Sequence, residues 1–323
     1  NRIQFTTDIY SRKAFDLVDF VITSGIGGQR IKQGNNANME TKGLEVAFTT
    51  KNINNKDFKW STTLNFSIYN QEITKLENKP TAFDLIEGNG GNAIGHPRNS
   101  LYSYQFTGLN NQGLPTFIMP NGETDLITGA NFQDNDNVTD YLKYEGSIEP
   151  NKSVGLANTF TYKNWSLYVF IVGSGGNKVR LNPVYSSQYD DLTVFTKDFT
   201  NRWINPGDEN FTNIPVIADK RLAENYGGIS QLETAYNTYN YSDARIADGD
   251  FVRLKNISLS WEFPTDLKKK LGLNTFTLRG SAVNPWLIYS DEKLNGQDPE
   301  FRNTGGAAFP VTSKYTFAIT ISL

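Results

Sequence analysis

The sequence contains no cysteine, so it has neither a disulfide framework nor thiol chemistry. It contains one histidine, His96, too few for a histidine-built metal centre. No triad motif surrounds that histidine either. It has no run of about 18 apolar residues, which excludes a transmembrane helix. It has no excess of basic residues: 31 Lys and Arg face 34 Asp and Glu, for a net charge of -3. That balance argues against a general nucleic-acid binder. Helix signals are scarce.

Aromatic side chains and alternation are abundant. Tyr numbers 16 and Phe 21, a composition that suits β-structure. The dominant pattern has period 2, which sends successive side chains to opposite faces of a sheet. Phe58, Trp60, Leu64, Phe66 and Ile68 share one face, broken only by Thr62. Lys59, Ser61, Thr63, Asn65 and Ser67 share the other. The same alternation marks Leu44 to Phe48, Val154 to Tyr162, Ile257 to Phe263 and Tyr315 to Leu323.

The polar faces carry mainly Ser, Thr, Gly, Ala and Asn rather than the Lys and Glu common on a solvated sheet. Such faces suit a water-filled or plugged lumen. A soluble β-sandwich would show the same alternation, so both architectures stay open at this point. The mean hydropathy of -0.48 does not separate them, because a barrel strand shows only every second residue to lipid.

Connection lengths favour the barrel. Lys51 to Asp57, Lys163-Asn164 and Pro264 to Gly272 are short. Thr23 to Glu40, Gln71 to Ser100, Gly108 to Lys152, Ser174 to Gly249 and Asn284 to Ser313 are long and polar. Outer-membrane barrels alternate short periplasmic turns with long extracellular loops. In a soluble domain, loops of that length would count against the assignment.

Eight segments take consistent alternating directions: Ile3 to Tyr10 with an extension towards Ile22, Leu44 to Thr50, Phe58 to Ile68, Ser153 to Tyr162, Trp165 to Gly173, Phe251 to Phe263, Thr275 to Val283 and Lys314 to Leu323. Leu101 to Thr107 breaks the parity unless it pairs with a strand between Gly108 and Lys152. The expectation is therefore an all-β, antiparallel transmembrane barrel portion of about 8–10 strands, ten being favoured.

Several ordered stretches resemble the SusC/RagA family of TonB-dependent outer-membrane transporters. Asn38-Met39-Glu40-Thr41-Lys42-Gly43-Leu44-Glu45 is similar to its strand entry, and Phe58-Lys59-Trp60 to its following strand. Gly146 to Pro150, continuing through Gly155 to Lys163, resembles a family hairpin. Arg202-Trp203 with Asn205-Pro206-Gly207-Asp208 is also similar. The closest likeness is Asp248-Gly249-Asp250-Phe251-Val252-Arg253-Leu254-Lys255-Asn256-Ile257-Ser258-Leu259. Asn284-Pro285-Trp286 and Asp298-Pro299-Glu300 complete the series, which runs in family order over nearly the whole chain. The sequence departs from the family at Asp134-Asn135-Asp136-Asn137, which lacks the glycines of an acidic family loop, and at Leu323, where many outer-membrane proteins have Phe.

The resemblance implies that residues 1–323 are the carboxy-terminal portion of a barrel of about 22 strands. The plug, the TonB box and the first strands would lie outside them. It implies import of an oligosaccharide or peptide in a SusCD-like complex. The partners would be a SusD-like surface lipoprotein, TonB-ExbB-ExbD through the amino-terminal part, the substrate, and membrane lipid and lipopolysaccharide, with no nucleic acid. The location would be the outer membrane of a Gram-negative, Bacteroidota-like cell. Asn1 opens no signal peptide, so a mature or truncated chain is expected. The alternative is a soluble all-β surface glycan-binding module; a secreted β-rich hydrolase is a third reading.

No catalytic, cofactor or metal residue is assigned. Asp248-Gly249-Asp250 and Asp134 to Asn137 have too few oxygen ligands at suitable spacing for calcium. Here Gly249 is read as a permissive turn residue. Ser174-Gly175-Gly176-Asn177-Lys178 and Gly25-Ile26-Gly27-Gly28 lack the ending and the helix of a phosphate loop. His96-Pro97-Arg98 precedes a strand. Asp190-Asp191 and Asp298 with Glu300 read as solvated loop charges rather than a glycosidase pair. Tyr185, Tyr189, Tyr236, Tyr239 and Tyr241 are the candidate ligand-stacking rings, with loop packing or lid contact as their other reading. No individual substrate contact is assigned.

Overall fold

A computed structural model describes residues 2–22, 31–119, 121–185, 197–217, 219–301 and 311–322, with the side chains of residues 19–22, 31 and 32 left aside. Eight strands form one antiparallel sheet in which neighbours in space are neighbours in sequence. They are β1 (Ile3–Ile22), β2 (Ile31–Asn54), β3 (Phe58–Leu76), β4 (Lys152–Tyr162), β5 (Trp165–Gly175), β6 (Phe251–Glu262), β7 (Thr275–Ser290) and β8 (Lys314–Ser322). Among the described residues β1 and β8 do not pair, so the sheet is a portion of a barrel wall with two free edges.

The register converts the alternation into continuous rows. Phe5, Phe48, Leu64, Leu156, Ile171, Leu254 and Trp286 lie opposite one another across seven strands. Nearer the short turns, Trp60, Phe160, Leu167, Leu259, Gly280 and Phe317 make a second row on the same face. The opposite face carries Ser61, Thr159, Tyr168, Ser258, Ser281 and Thr316. No second sheet covers the apolar face among the described residues. Ile9 is 82% exposed, Tyr315 75% and Phe317 70%. That observation decides against the sandwich, whose apolar faces must pack together, and fits a wall that meets lipid tails.

Thr62 breaks the apolar row, and its polarity is satisfied in place. It donates to Asn158 Oδ1 at 2.7 Å and accepts from Asn52 Nδ2 at 2.7 Å, while Trp60 Nε1 also donates to Asn158 Oδ1 at 3.0 Å. The carboxamides and hydroxyl thus meet one another rather than hydrocarbon.

The sheet has eight strands, the lower figure expected. The segment Leu101 to Thr107 does pair with strands between Gly108 and Lys152, but away from the wall. Ser100–Ser103 pairs with Lys143–Ser147, and Phe106–Leu109 with Pro115–Ile118. Three of the long connections are shorter than expected because strand continues into them. Ile31–Asn54 takes up much of Thr23 to Glu40, and β3 and β7 run on to Leu76 and Ser290. Strands of 19 to 24 residues at β1 to β3 exceed the roughly 9–11 residues that cross a bilayer, so this part of the wall rises well beyond the membrane.

The short connections 55–57, 163–164 and 263–274 lie at one end of the sheet, and the long ones at the other. The long connections after β3 and β5 fold together into a cap with its own core. Leu85, Ile86, Tyr102, Phe117 and Tyr239 are its fully buried centre. The helix Ile229–Asn240 contributes Leu232, Ala235, Tyr236 and Tyr239. A capping box at Thr81 and Asp84 starts the helix Ala82–Ile86, with each side chain satisfying the other's backbone N–H.

Candidate functional site

The polar connections meet above the wall, and three features there could bear on function: a tie between wall and loop, a cavity in the cap, and an exposed tip.

The tie joins two of the sequence stretches singled out above. Arg253, inward on β6, is 3% exposed at its side chain and pairs with Asp298 at 2.7 Å and with Glu300 at 2.8 Å. Lys255 adds a contact to Glu300 at 3.2 Å. Asp298 also accepts the backbone N–H of Glu300 and of Val311, both at 3.0 Å. Burial pushes the Asp298 carboxyl up, but those N–H donors and the Arg253 guanidinium outweigh it and hold it below the usual carboxylate range. Asp298 and Glu300 are therefore not the solvated loop charges expected. They are charge partners that fold the connection after β7 back onto the wall.

Asp248 and Asp250 are likewise engaged. Asp248 pairs with Lys178, and its backbone N–H donates to Asp291 Oδ2 at 2.7 Å. Asp250 accepts the N–H of Gly176 at 2.7 Å. Gly249 was expected to supply a permissive backbone conformation, yet it is not among the positive-φ glycines. Its smallness serves close approach instead: a Cβ there would lie 2.0 Å from Asn177 Nδ2. At the other acidic run, Asp134 accepts from the Asp136 N–H at 3.1 Å and the Tyr141 hydroxyl at 3.3 Å, and it closes a turn.

The cavity measures about 240 Å³ and is lined by Glu87, Arg180, Tyr185, Asn237, Asn240 and Tyr241, among others. Arg180 donates to the carbonyls of Ser242 at 3.1 Å and Tyr102 at 2.6 Å and to the Ser103 hydroxyl at 3.1 Å. Burial pushes its guanidinium well below the ordinary range, opposed by the Glu145 carboxylate. These bonds stitch the two cap-forming connections together, so Arg180 serves the cap's architecture first.

The candidate rings separate. Tyr236 and Tyr239 are 2% and 1% exposed, which is loop packing rather than ligand stacking; burial raises the Tyr239 hydroxyl to about 12. Tyr185 stacks on Tyr236 with centroids 4.4 Å apart, and it lines the cavity together with Tyr241. Tyr189, Asp190-Asp191 and Gly25-Ile26-Gly27-Gly28 lie outside the described residues. His96 tilts against Tyr144 at 4.2 Å, and burial lowers its pKa against the pull of Glu72.

The exposed tip is the Arg202-Trp203 stretch. Trp203 packs over Gly113, where a Cβ would meet its ring at 2.5 Å, and its Nε1 donates to Glu209 at 2.8 Å. Asp208 accepts the N–H of Ile204 and Asn205 at 3.0 and 2.9 Å; these bonds draw its carboxyl below the usual range. The turn so fixed leaves Phe211 90% and Ile204 59% exposed. Nothing in the periodicity signalled this pair.

Comparison with known proteins places this geometry. No protein-family model matches the chain. TonB-dependent receptor P3 of Formosa agariphila is 28% identical over 94% of this chain and 29% of its own length. TonB-dependent receptor P39 of the same organism is 25% identical over 96% of this chain and 32% of its own length. Among solved structures, the RagAB peptide transporter superposes with a TM-score of 0.72 at 20% identity, over 99% of this chain and 33% of that one. The open-open state of the RagAB peptide importer gives 0.73. The chain is thus similar in sequence to TonB-dependent receptors and shares the fold of the barrel wall in the RagAB structures. It spans about a third of the length of the curated relatives it matches.

Within this wall, the stretch Asp248 to Lys255 gains a physical reading. It places Asp250 against Gly176, Arg253 against Asp298 and Lys255 against Glu300. Its charged residues tie the top of β6 to both neighbouring connections.

Proposed function

We propose that the chain forms the carboxy-terminal part of the barrel wall of a TonB-dependent outer-membrane importer of oligosaccharides or peptides, acting with a SusD-like surface lipoprotein. Transport rather than catalysis is the role of the chain. The observation that carries this reading is the sheet's division into an uncovered apolar face and a hydroxyl-rich face. Such a wall holds a polar passage inside lipid.

The free edges of β1 and β8 support a larger barrel. In lipid an unpaired edge leaves backbone N–H and C=O groups unsatisfied, at several kcal/mol each. Further strands, a plug and the TonB contact belong to parts of the protein outside residues 1–323. The names of the relatives support TonB coupling, and the exposed Phe211 and Ile204 suit contact with a lid protein.

The test uses the full-length transporter, affinity-tagged and extracted from native outer membranes. The expected preparation needs detergent, brings one surface lipoprotein with it and carries bound ligand. Mass spectrometry of that ligand separates hexose-repeat from amino-acid-repeat masses. Recovery of the intact protein in the aqueous fraction without detergent would overturn the reading.

A further inference from the structure

We infer that the connection between β6 and β7 is a binding site for the phosphate headgroup of an anionic phospholipid in the periplasmic leaflet. The inference rests on the barrel fold and its orientation, not on the transported substrate.

Unlike its two neighbours, this connection is more than a turn. It contains the helix Thr265–Lys270, followed by Leu271, Gly272 and Leu273. Leu267 is 39% and Leu271 56% exposed. At about 100° per residue, these two leucines fall on one stripe, with Lys268 and Lys270 flanking it about 80° to either side and Lys269 opposite. An apolar stripe edged by lysines is the pattern of a helix lying in a membrane interface. Leucine enters the acyl boundary while the lysine stems run along it and keep their ammonium groups at headgroup level.

The neighbourhood points the same way. Trp165 and Trp261 stack with centroids 5.7 Å apart, Trp261 meets Phe263 at 4.7 Å, and Phe263 meets Phe276 at 4.0 Å. Phe263 and Phe276 keep the parity of Trp261 and Leu278, so all belong to the lipid-side face. This ring column is an aromatic girdle at the short-turn end, and the helix continues its apolar surface outward. The apolar stripe is thus contiguous with the wall that lipid covers.

Charge selects the headgroup. Lys268 is paired with Glu262 at 2.5 Å and is 13% exposed. Lys269 and Lys270 are exposed and have no ion pair among the described residues. Asp266 is the acid of the helix itself, in its first turn. The unpaired ammonium group of Lys270, beside the apolar stripe, complements a phosphate at the leaflet surface, whereas Lys269 lies on the opposite side of the helix. Three lysines in a last turn also favour the helix dipole; that role stabilises the helix but does not discriminate between lipids.

The test is lipid retention by the full-length transporter, measured by native mass spectrometry with phosphatidylglycerol and phosphatidylcholine offered separately. Each lysine near a surface is worth roughly 1 kcal/mol towards anionic lipid, about fivefold in affinity. The variant Lys270→Gln is expected to lose about fivefold in phosphatidylglycerol retention with phosphatidylcholine unchanged, and Lys269→Gln, on the far side of the helix, is expected to change neither. The double variant Leu267→Ser, Leu271→Ser is expected to weaken both lipids, with the preference between them kept. Phosphatidylglycerol retention within twofold of the parent in the Lys270→Gln variant would overturn the inference. So would an equal loss of both lipids in that variant.

Discussion

Replacing Arg253 by Met removes the cation that Asp298 and Glu300 share while keeping much of the side-chain volume. The Asp298 carboxylate, 5% exposed, keeps its two backbone donors but loses its counter-charge. Breaking a buried pair by removing one partner costs about 3–5 kcal/mol, because the remaining charge stays desolvated. The cost should appear locally, in the opening of the connection after β7, since the wall around Arg253 is held by its own ladder. By the relation of about 1.4 kcal/mol per tenfold, amide exchange over residues 291–301 should accelerate by about a hundred- to several-thousand-fold in the full-length protein. Exchange in β4 and β5 should stay unchanged. Asp298→Asn with Arg253→Met should cost less than the sum of the two single changes, because the partners are in contact. The pH dependence has a definite sign. The folded carboxyl of Asp298 is depressed, so its contribution is fully present above the ordinary Asp pKa and is lost as pH falls through the lower folded value. Protection of residues 291–301 that survives Arg253→Met, or that rises on acidification through that range, would refute the account.

Two further outcomes follow from the sheet itself. Leu259→Arg places a charge on the lipid side and should cost about 2–4 kcal/mol near the bilayer midplane, less towards the interface, whereas Ser258→Arg on the other face should be tolerated; urea-dependent folding into lipid vesicles reads both, and equal costs would sink the assignment of faces. Gly249→Ala drives a Cβ to within 2.0 Å of Asn177 Nδ2, and it should loosen the Lys178–Arg180 to Ile246–Asp248 pairing, seen as faster exchange there; pairing the change with Asn177→Gly should restore it.

The wall was legible because a barrel imposes one rule on every residue of a strand. Phe58 to Ile68 and Tyr315 to Ile321 show it without ambiguity, and the structure puts both where the alternation does. Trp165 to Val172 was harder. There, inward Phe170 and Val172 are apolar too, so only Ser166 and Tyr168 mark the polar phase, yet the strand lies where it was expected. The cap was not legible, because its core is assembled from distant stretches. Tyr104 donates to the Tyr241 carbonyl and accepts from the Asp243 N–H, and no local pattern announces contacts across more than a hundred residues. The same reason hid the partners of Asp298. Charges in a polar loop look solvated until a strand about 45 residues back supplies an arginine.

These long-range ties bear on how a passage through such a wall could open. Asp248 binds Lys178 and the side chain of Asp291; Asp250 binds Gly176; Arg245 pairs with Asp198, which also accepts from Asn295. The connections after β5 and β7 are thereby fixed to each other and to β6. Swinging any one of them aside would break several buried or charged contacts at once. At about 3–5 kcal/mol for a buried pair alone, such a movement is strongly disfavoured. On the transport reading, the connections after β5 and β7 therefore move with β6 as one piece rather than as separate flaps.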